Sequence, residues 1–266
     1  MPTGCQPLRV SGQLLQVNKL KGCPMPSPLN IPAPESRGYA DASILVTTDW
    51  LAKHLEDPDV RILDTDGAAE YGRVHIPNSV PVSDHYYKAA EKGRTHIQGP
   101  EEFAKTMADL GISDGTLVVG YDSQGGLYSF RLAWCLHYYG HANVRVLDGG
   151  FPKWLAEGRQ LSRKKPSFPP GRFTPKTDRA IFAGRDDVQA AIGRKDTVIL
   201  DVRADDEWDG SNRRDNVRGG RVPGAVHLEW KNFLTKGDVP TVLPAADLRK
   251  LLTAHGVSPD KKVITY

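Results

Sequence analysis

The sequence holds only three cysteines in 266 residues, at positions 5, 23 and 135. Their spacing is neither paired nor of a metal-binding type, which excludes a disulfide framework and fits a reducing compartment. Long apolar runs are missing too. No segment approaches the roughly 18–20 residues that a membrane-spanning helix requires, and residues 1–40 lack the compact apolar centre of a secretory signal. The expectation is a cytoplasmic protein without a membrane partner. An excess of charge of one sign is also absent: 35 Lys and Arg against 32 Asp and Glu leave +3. A general polyanion binder is excluded, and the longest basic run, Arg163-Lys164-Lys165, is too short for a nucleic-acid footprint.

What is present is ordinary globular composition, 39% hydrophobic and 25% charged, with length for two cores of ~100–150 residues each. Residues 1–43 are rich in proline (Pro24, Pro26, Pro28, Pro32, Pro34) and read as a flexible extension without a function. Order begins near Ile44. Thr47 or Thr48 caps a helix, Val60–Asp64 follows as a strand, and His75–Val82 turns into a second. A helix with Pro100 in its first turn carries Phe103, Met107 and Leu110 on one face and ends at Gly111. Thr116–Tyr121 is then an apolar strand, Asp122–Gly126 a small loop, and 126–139 a long helix. After Val144–Leu147 and the turn Asp148-Gly149-Gly150, strands and helices have alternated throughout, which implies a parallel sheet covered on both faces. The first unit is 44–158, and 159–180 reads as a linker.

The pattern then restarts over 181–266. Thr197–Val202 matches Arg61–Thr65, Gly220–Val226 matches Val74–Val80, and the helix with Leu248, Leu251 and Leu252 matches that with Phe103, Met107 and Leu110. Lys262–Tyr266 repeats the strand ending at Tyr121: ten positions separate Gly111 from Tyr121, and ten separate Gly256 from Tyr266. The second copy is about eight residues longer, placed at Ser211–Arg218.

With Asp201-Val202-Arg203, Glu207-Trp208, Gly210, Arg218-Gly219-Gly220 and Val222–Val226 in the second half, and Asp64, Glu70-Tyr71, Ile76-Pro77 and Asp148 through Trp154 in the first, the chain resembles the tandem-domain rhodanese family, the thiosulfate and 3-mercaptopyruvate sulfurtransferases. The resemblance covers about 44–266. It implies an α/β fold of two rhodanese-like domains, the second incomplete, with no cofactor or metal. The partners it implies are a small anionic sulfur donor and a thiol or cyanide acceptor; a monomer is expected. In that family a cysteine directly follows the strand matched by Lys262–Tyr266, in a pattern of the type C-x-x-G-x-R, while the first domain is usually inactive. Asp122 occupies the equivalent place in the first half and cannot carry sulfur. In the second half the nucleophile is expected immediately after Tyr266, so no catalytic residue lies within the chain.

The chemistry explains the loop. A free thiol with pKa near ~8.5 is mostly protonated at neutral pH. Backbone N–H groups curled inward at a helix N-terminus lower that pKa and hold the bound anion. By resemblance Arg203 binds the anionic donor with its fixed fork; its bland alternative is an ion pair with Asp205 or Glu207. Arg218 and Arg221 are candidates for the same mouth. Asp201 is expected to anchor the turn, His227 and Cys135 to be structural, and Asp148 and Trp154 to pack the domains together. The ending at Tyr266 suggests a fragment, a frameshift, or a UGA codon for selenocysteine read as stop, with Val263 and Ile264 left poorly covered. A non-catalytic rhodanese-like binding module is the alternative function. An arsenate reductase or dual-specificity phosphatase relative would need a longer anion loop.

Overall fold

The computed structural model describes residues 29, 31–82, 97–214 and 216–266. Most of the proline-rich run of 1–43 therefore lies outside the described residues, as does 83–96. The first half holds β1 (Leu45–Val46), α1 (Thr48–Lys53), β2 (Val60–Asp64), α2 (Ala68–Arg73), β3 (Ser79–Pro81), α3 (Pro100–Asp109), β4 (Leu117–Tyr121), α4 (Leu127–Tyr138), β5 (Val144–Leu147) and α5 (Gly150–Ala156). Its five strands are all parallel, in the order β1-β5-β4-β2-β3. All five residues of β2 are buried, as expected of a central strand covered on both faces. One cluster, with Phe103, Met107, Leu132 and Leu136, lies on one face. The other, with Leu51, Ile62, Tyr121 and Trp154, lies on the opposite face.

The second half holds α6 (Arg185–Ala191), β6 (Thr197–Asp201), α7 (Asp205–Asp209), β7 (Val226–His227), α8 (Ala245–Ala254) and β8 (Lys262–Thr265), with the parallel order β7-β6-β8. The two copies share their register. The Thr65 amide donates to Tyr121 O at 2.9 Å, and the Val202 amide donates to Tyr266 O at 3.1 Å. Gly111 and Gly256 close the equivalent helices with φ of 75° and 73°, a left-handed conformation that glycine adopts without steric cost. The core of the second half is smaller, built on Ala191, Ile199 and Ile264. Coverage of β8 differs from expectation: Val263 is 38% exposed but Ile264 is buried, because successive side chains of a strand face opposite sides.

Two expectations about the connecting segments change. Residues 159–180 form an extended strap bound along the first half. Gly171 N donates to Ala108 O, Lys176 N to Tyr139 O and Asp178 N to Tyr138 O, while Phe168 stacks under the Arg61 guanidinium at 3.3 Å. At Gly171 even a methyl group would stand 2.2 Å from Ile112 O, so only glycine permits this approach. The end of the segment read as a flexible extension is also built into the fold. Pro34–Arg37 forms a 3₁₀ turn closed by Gly38 at φ 76°, and Arg37 is buried.

Candidate functional site

Parallel sheets place ligands at the carboxyl ends of their strands, and there the two halves can be compared side by side. In the first half, β4 runs into Asp122, a residue only 1% exposed. One carboxylate oxygen accepts from the Gln124 and Gly126 amides at 2.8 and 2.9 Å. The other accepts from the Tyr128 and Ser129 amides at 3.1 and 2.8 Å and from Ser129 Oγ at 2.8 Å. Gly125 and Gly126 take φ of 71° and 101°, turning the amides inward at the start of α4. This loop is a cradle for one anion, and its own carboxylate fills it.

Beneath the cradle, Tyr121 Oη donates to Asp64 Oδ2 at 2.6 Å and accepts from the Ile76 amide at 3.2 Å. Burial pushes the Asp64 carboxyl up to about 6 and the Tyr121 hydroxyl well above its ordinary range. Asp66, also raised by burial, accepts from Ser123 N and Oγ in the loop.

The second half repeats this floor with one change of charge. The Val222 amide donates to Tyr266 Oη at 3.0 Å, as Ile76 does to Tyr121. Asp201 is fully buried and stands in the place of Asp64. Arg203 stands in the place of Asp66, so a cation replaces an acid at the mouth. Its guanidinium forms a fork on Asp201 at 2.9 and 2.5 Å, donates to Gly220 O at 3.0 Å and lies 5.0 Å from the Tyr266 ring centre. Burial pushes the Asp201 carboxyl up, but the Arg203 guanidinium and amide outweigh it and hold the group below its usual range. The side-chain hydrogen bond to Asp201 raises the Arg203 pKa.

Arg203 therefore has a different partner from the two acids suggested by sequence spacing: Glu207 pairs with Arg214 at 2.8 Å, and Asp205 lies 3.6 Å from His227 Nδ1. Asp201 accepts the Arg203 amide at 3.0 Å and anchors the turn. His227 stacks on Trp208 at 4.8 Å, and its Nε2 lies 3.0 Å from Arg203 O. Arg218 is exposed on the loop spanning the extra residues, two positions before the carbonyl that holds Arg203. Arg221 caps the Trp208 ring at 4.4 Å. Cys135 is fully buried in the first core, and burial raises its thiol to about 11, far from a thiolate at neutral pH.

Trp154 lies inside the first half, its indole donating to Gln160 O at 2.7 Å, so it does not join the domains. Asp148 does take part in that junction, through a residue that sequence reasoning passed over: Arg37. The Arg37 fork meets Asp148 at 2.9 and 2.5 Å, and Nη1 also donates to Val242 O at 3.3 Å. The matched tyrosines at 121 and 266 carried a readable signal for the hydroxyl floor. Arg37, inside a proline-rich run, carried none.

A family model described as the rhodanese-like domain matches residues 47–157 and 184–266. The sulfur carrier protein TtuD of Thermus thermophilus is 35% identical over 241 residues, covering 86% of this chain and 84% of that protein. A candidate thiosulfate sulfurtransferase, SseA of Mycobacterium tuberculosis, is 33% identical over 219 residues, 77% of this chain and 71% of that one. The crystal structure of SseA from Escherichia coli, described among 3-mercaptopyruvate sulfotransferases, matches with a TM-score of 0.71 at 28% identity, covering 84% of this chain and 87% of that one.

Proposed function

The chain belongs to the rhodanese-like family, and from that premise we propose that it serves sulfur transfer from a small anionic donor, thiosulfate or 3-mercaptopyruvate, to cyanide or a thiol. The second domain is the catalytic one, with its sulfur-bearing residue at the position following Tyr266. The observation that carries this reading is the filled cradle of the first half. Five donors converge on the carboxylate of the residue that follows Tyr121. The same loop after Tyr266 would offer its donors to a thiolate or persulfide instead. A thiolate there attacks the outer sulfur of thiosulfate, and sulfite leaves with the electrons of the broken S–S bond. The persulfide then yields its outer sulfur to cyanide, giving thiocyanate and restoring the thiolate. A selenolate would follow the same course. Arg203 supplies positive charge for the donor's oxygens, and Arg218, on the loop that leads to Gly220, adds to it. The first domain is a non-catalytic partner, because Asp122 offers no transferable sulfur and closes its own cradle.

The test is thiocyanate formation from thiosulfate and cyanide, comparing residues 1–266 with the reading frame continued past codon 266. The expected result is no turnover by residues 1–266 and turnover by the continued frame, whose next codon encodes cysteine or, as UGA, selenocysteine. Turnover by residues 1–266 above a reagent blank overturns the placement of the nucleophile. A continued frame with neither residue at that codon and no turnover of either donor favours the non-catalytic module. In an active continued frame, Arg203→Gln is expected to raise KM for thiosulfate about 10- to 100-fold, the scale of a lost charge-assisted contact.

A further inference from the structure

A long connection in the second half starts beside the backbone that precedes Arg203, and its course is set from outside its own domain. It leaves β7 with the Leu228 amide on Asp201 O and the Trp230 amide on Val202 O, both at 2.9 Å. It therefore lies against the backbone that carries the Asp201–Arg203 fork. It then folds on itself: Thr235 N donates to Thr241 O at 2.8 Å, Leu243 N to Phe233 O at 2.9 Å, and Thr241 N to Thr235 Oγ1 at 3.0 Å. The tip of this fold leans on the first half, where Leu234 and Pro240 pack over Gly125 in the filled cradle.

Two side chains that precede both domains grip this fold. Arg37 divides its donors between Asp148 at the end of β5 and Val242 O, with Pro32 O taking two more of its N–H groups at 2.9 and 2.6 Å. Tyr39 Oη reaches Val242 O at 3.1 Å and Leu243 O at 2.8 Å. The Arg37 and Asp148 side chains are 2% and 0% exposed. Such a desolvated fork holds its geometry far better than a surface pair, and losing one partner strands the other. Lys153 also pairs with Asp148, at 3.8 Å, and that ion pair lies within the first half.

We propose that residues 32–39 are an interdomain latch, with Arg37 and Tyr39 as positioning residues that hold the 228–243 connection, which starts beside the backbone that precedes Arg203, against the first half. This goes beyond the sulfur-transfer reading and stands on the bridging contacts alone.

Hydrogen exchange by mass spectrometry on the 266-residue chain tests it. Tyr39→Phe keeps the ring and removes only the hydroxyl that bridges to Val242 and Leu243. It is expected to speed exchange in peptides spanning 228–245 about tenfold, as for one lost hydrogen bond, while 117–136 stays protected. Arg37→Met is expected to speed the same peptides more. If it unfolds the first half, the Tyr39→Phe result decides. Unchanged exchange over 228–245 in Tyr39→Phe, or an equal loss of protection over 117–136, overturns the latch.

Discussion

At the scale of single residues, the contrast between Asp122 and Asp64 shows how two buried carboxyls can act oppositely. Asp122 is met by five donors, four of them amides of the loop and the first turn of α4, which have no partner within their helix. Asp122→Ala strands those donors and should cost about 3–5 kcal/mol in the first-half unfolding transition. Asp122→Asn, which keeps one accepting oxygen, should cost less. Urea denaturation of both variants checks the order.

Asp64 has few donors, and burial raises its carboxyl to about 6, above the unfolded value near 3.8. A raised acid favours the folded state while protonated. Its contribution is therefore greatest below about pH 4 and is lost as pH rises through 6, by at most about 3 kcal/mol. The stability of the first half against unfolding should weaken between pH 4 and 7 in the parent chain, and Asp64→Asn should flatten that slope whatever offset it adds. An unchanged slope would mean that Asp64 is ionised in the folded chain throughout.

At the scale of elements, β8 is the edge of the three-stranded sheet, and Val263 on it is 38% exposed. An apolar edge strand invites pairing with another chain, and an edge lysine discourages it. Val263→Lys should reduce light scattering on storage at high concentration with little change in melting, whereas Ile264→Lys, placed in the small core, should unfold the second half. The loop at 211–220 is held at its base by close backbone packing. A methyl group on Gly219 would stand 2.5 Å from Gly210 O. Its end is tied to Arg203 through Gly220 O, so the extra residues of the second copy adjoin the mouth.

At the scale of the whole molecule, the two halves share a topology but not a core. The first has extensive clusters on both faces of five strands, and the second has a small cluster around Ala191, Ile199 and Ile264. Buried apolar area sets the scale of stability, so in limited proteolysis the second half should be cut first, leaving a resistant product that contains the first half and its strap. Cleavage of the first half before the second would contradict this ledger of cores.

The order of elements and the repeated strand pattern were legible in the sequence, because strand and helix periods are local and because two copies calibrate one another. Asp122 could be read as a residue unable to carry sulfur. That it plugs its own cradle could not, since the donors come from a fold of backbone that residue types do not display. Spacing likewise suggested Asp205 or Glu207 for Arg203, while the turn after β6 brings the guanidinium back onto Asp201. The role of Arg37 was invisible for a simpler reason. Its partners, Asp148 and Val242, lie 111 and 205 residues away in sequence, and only packing of the finished halves brings them together. Local pattern determined the elements, and long-range contact decided which charges meet.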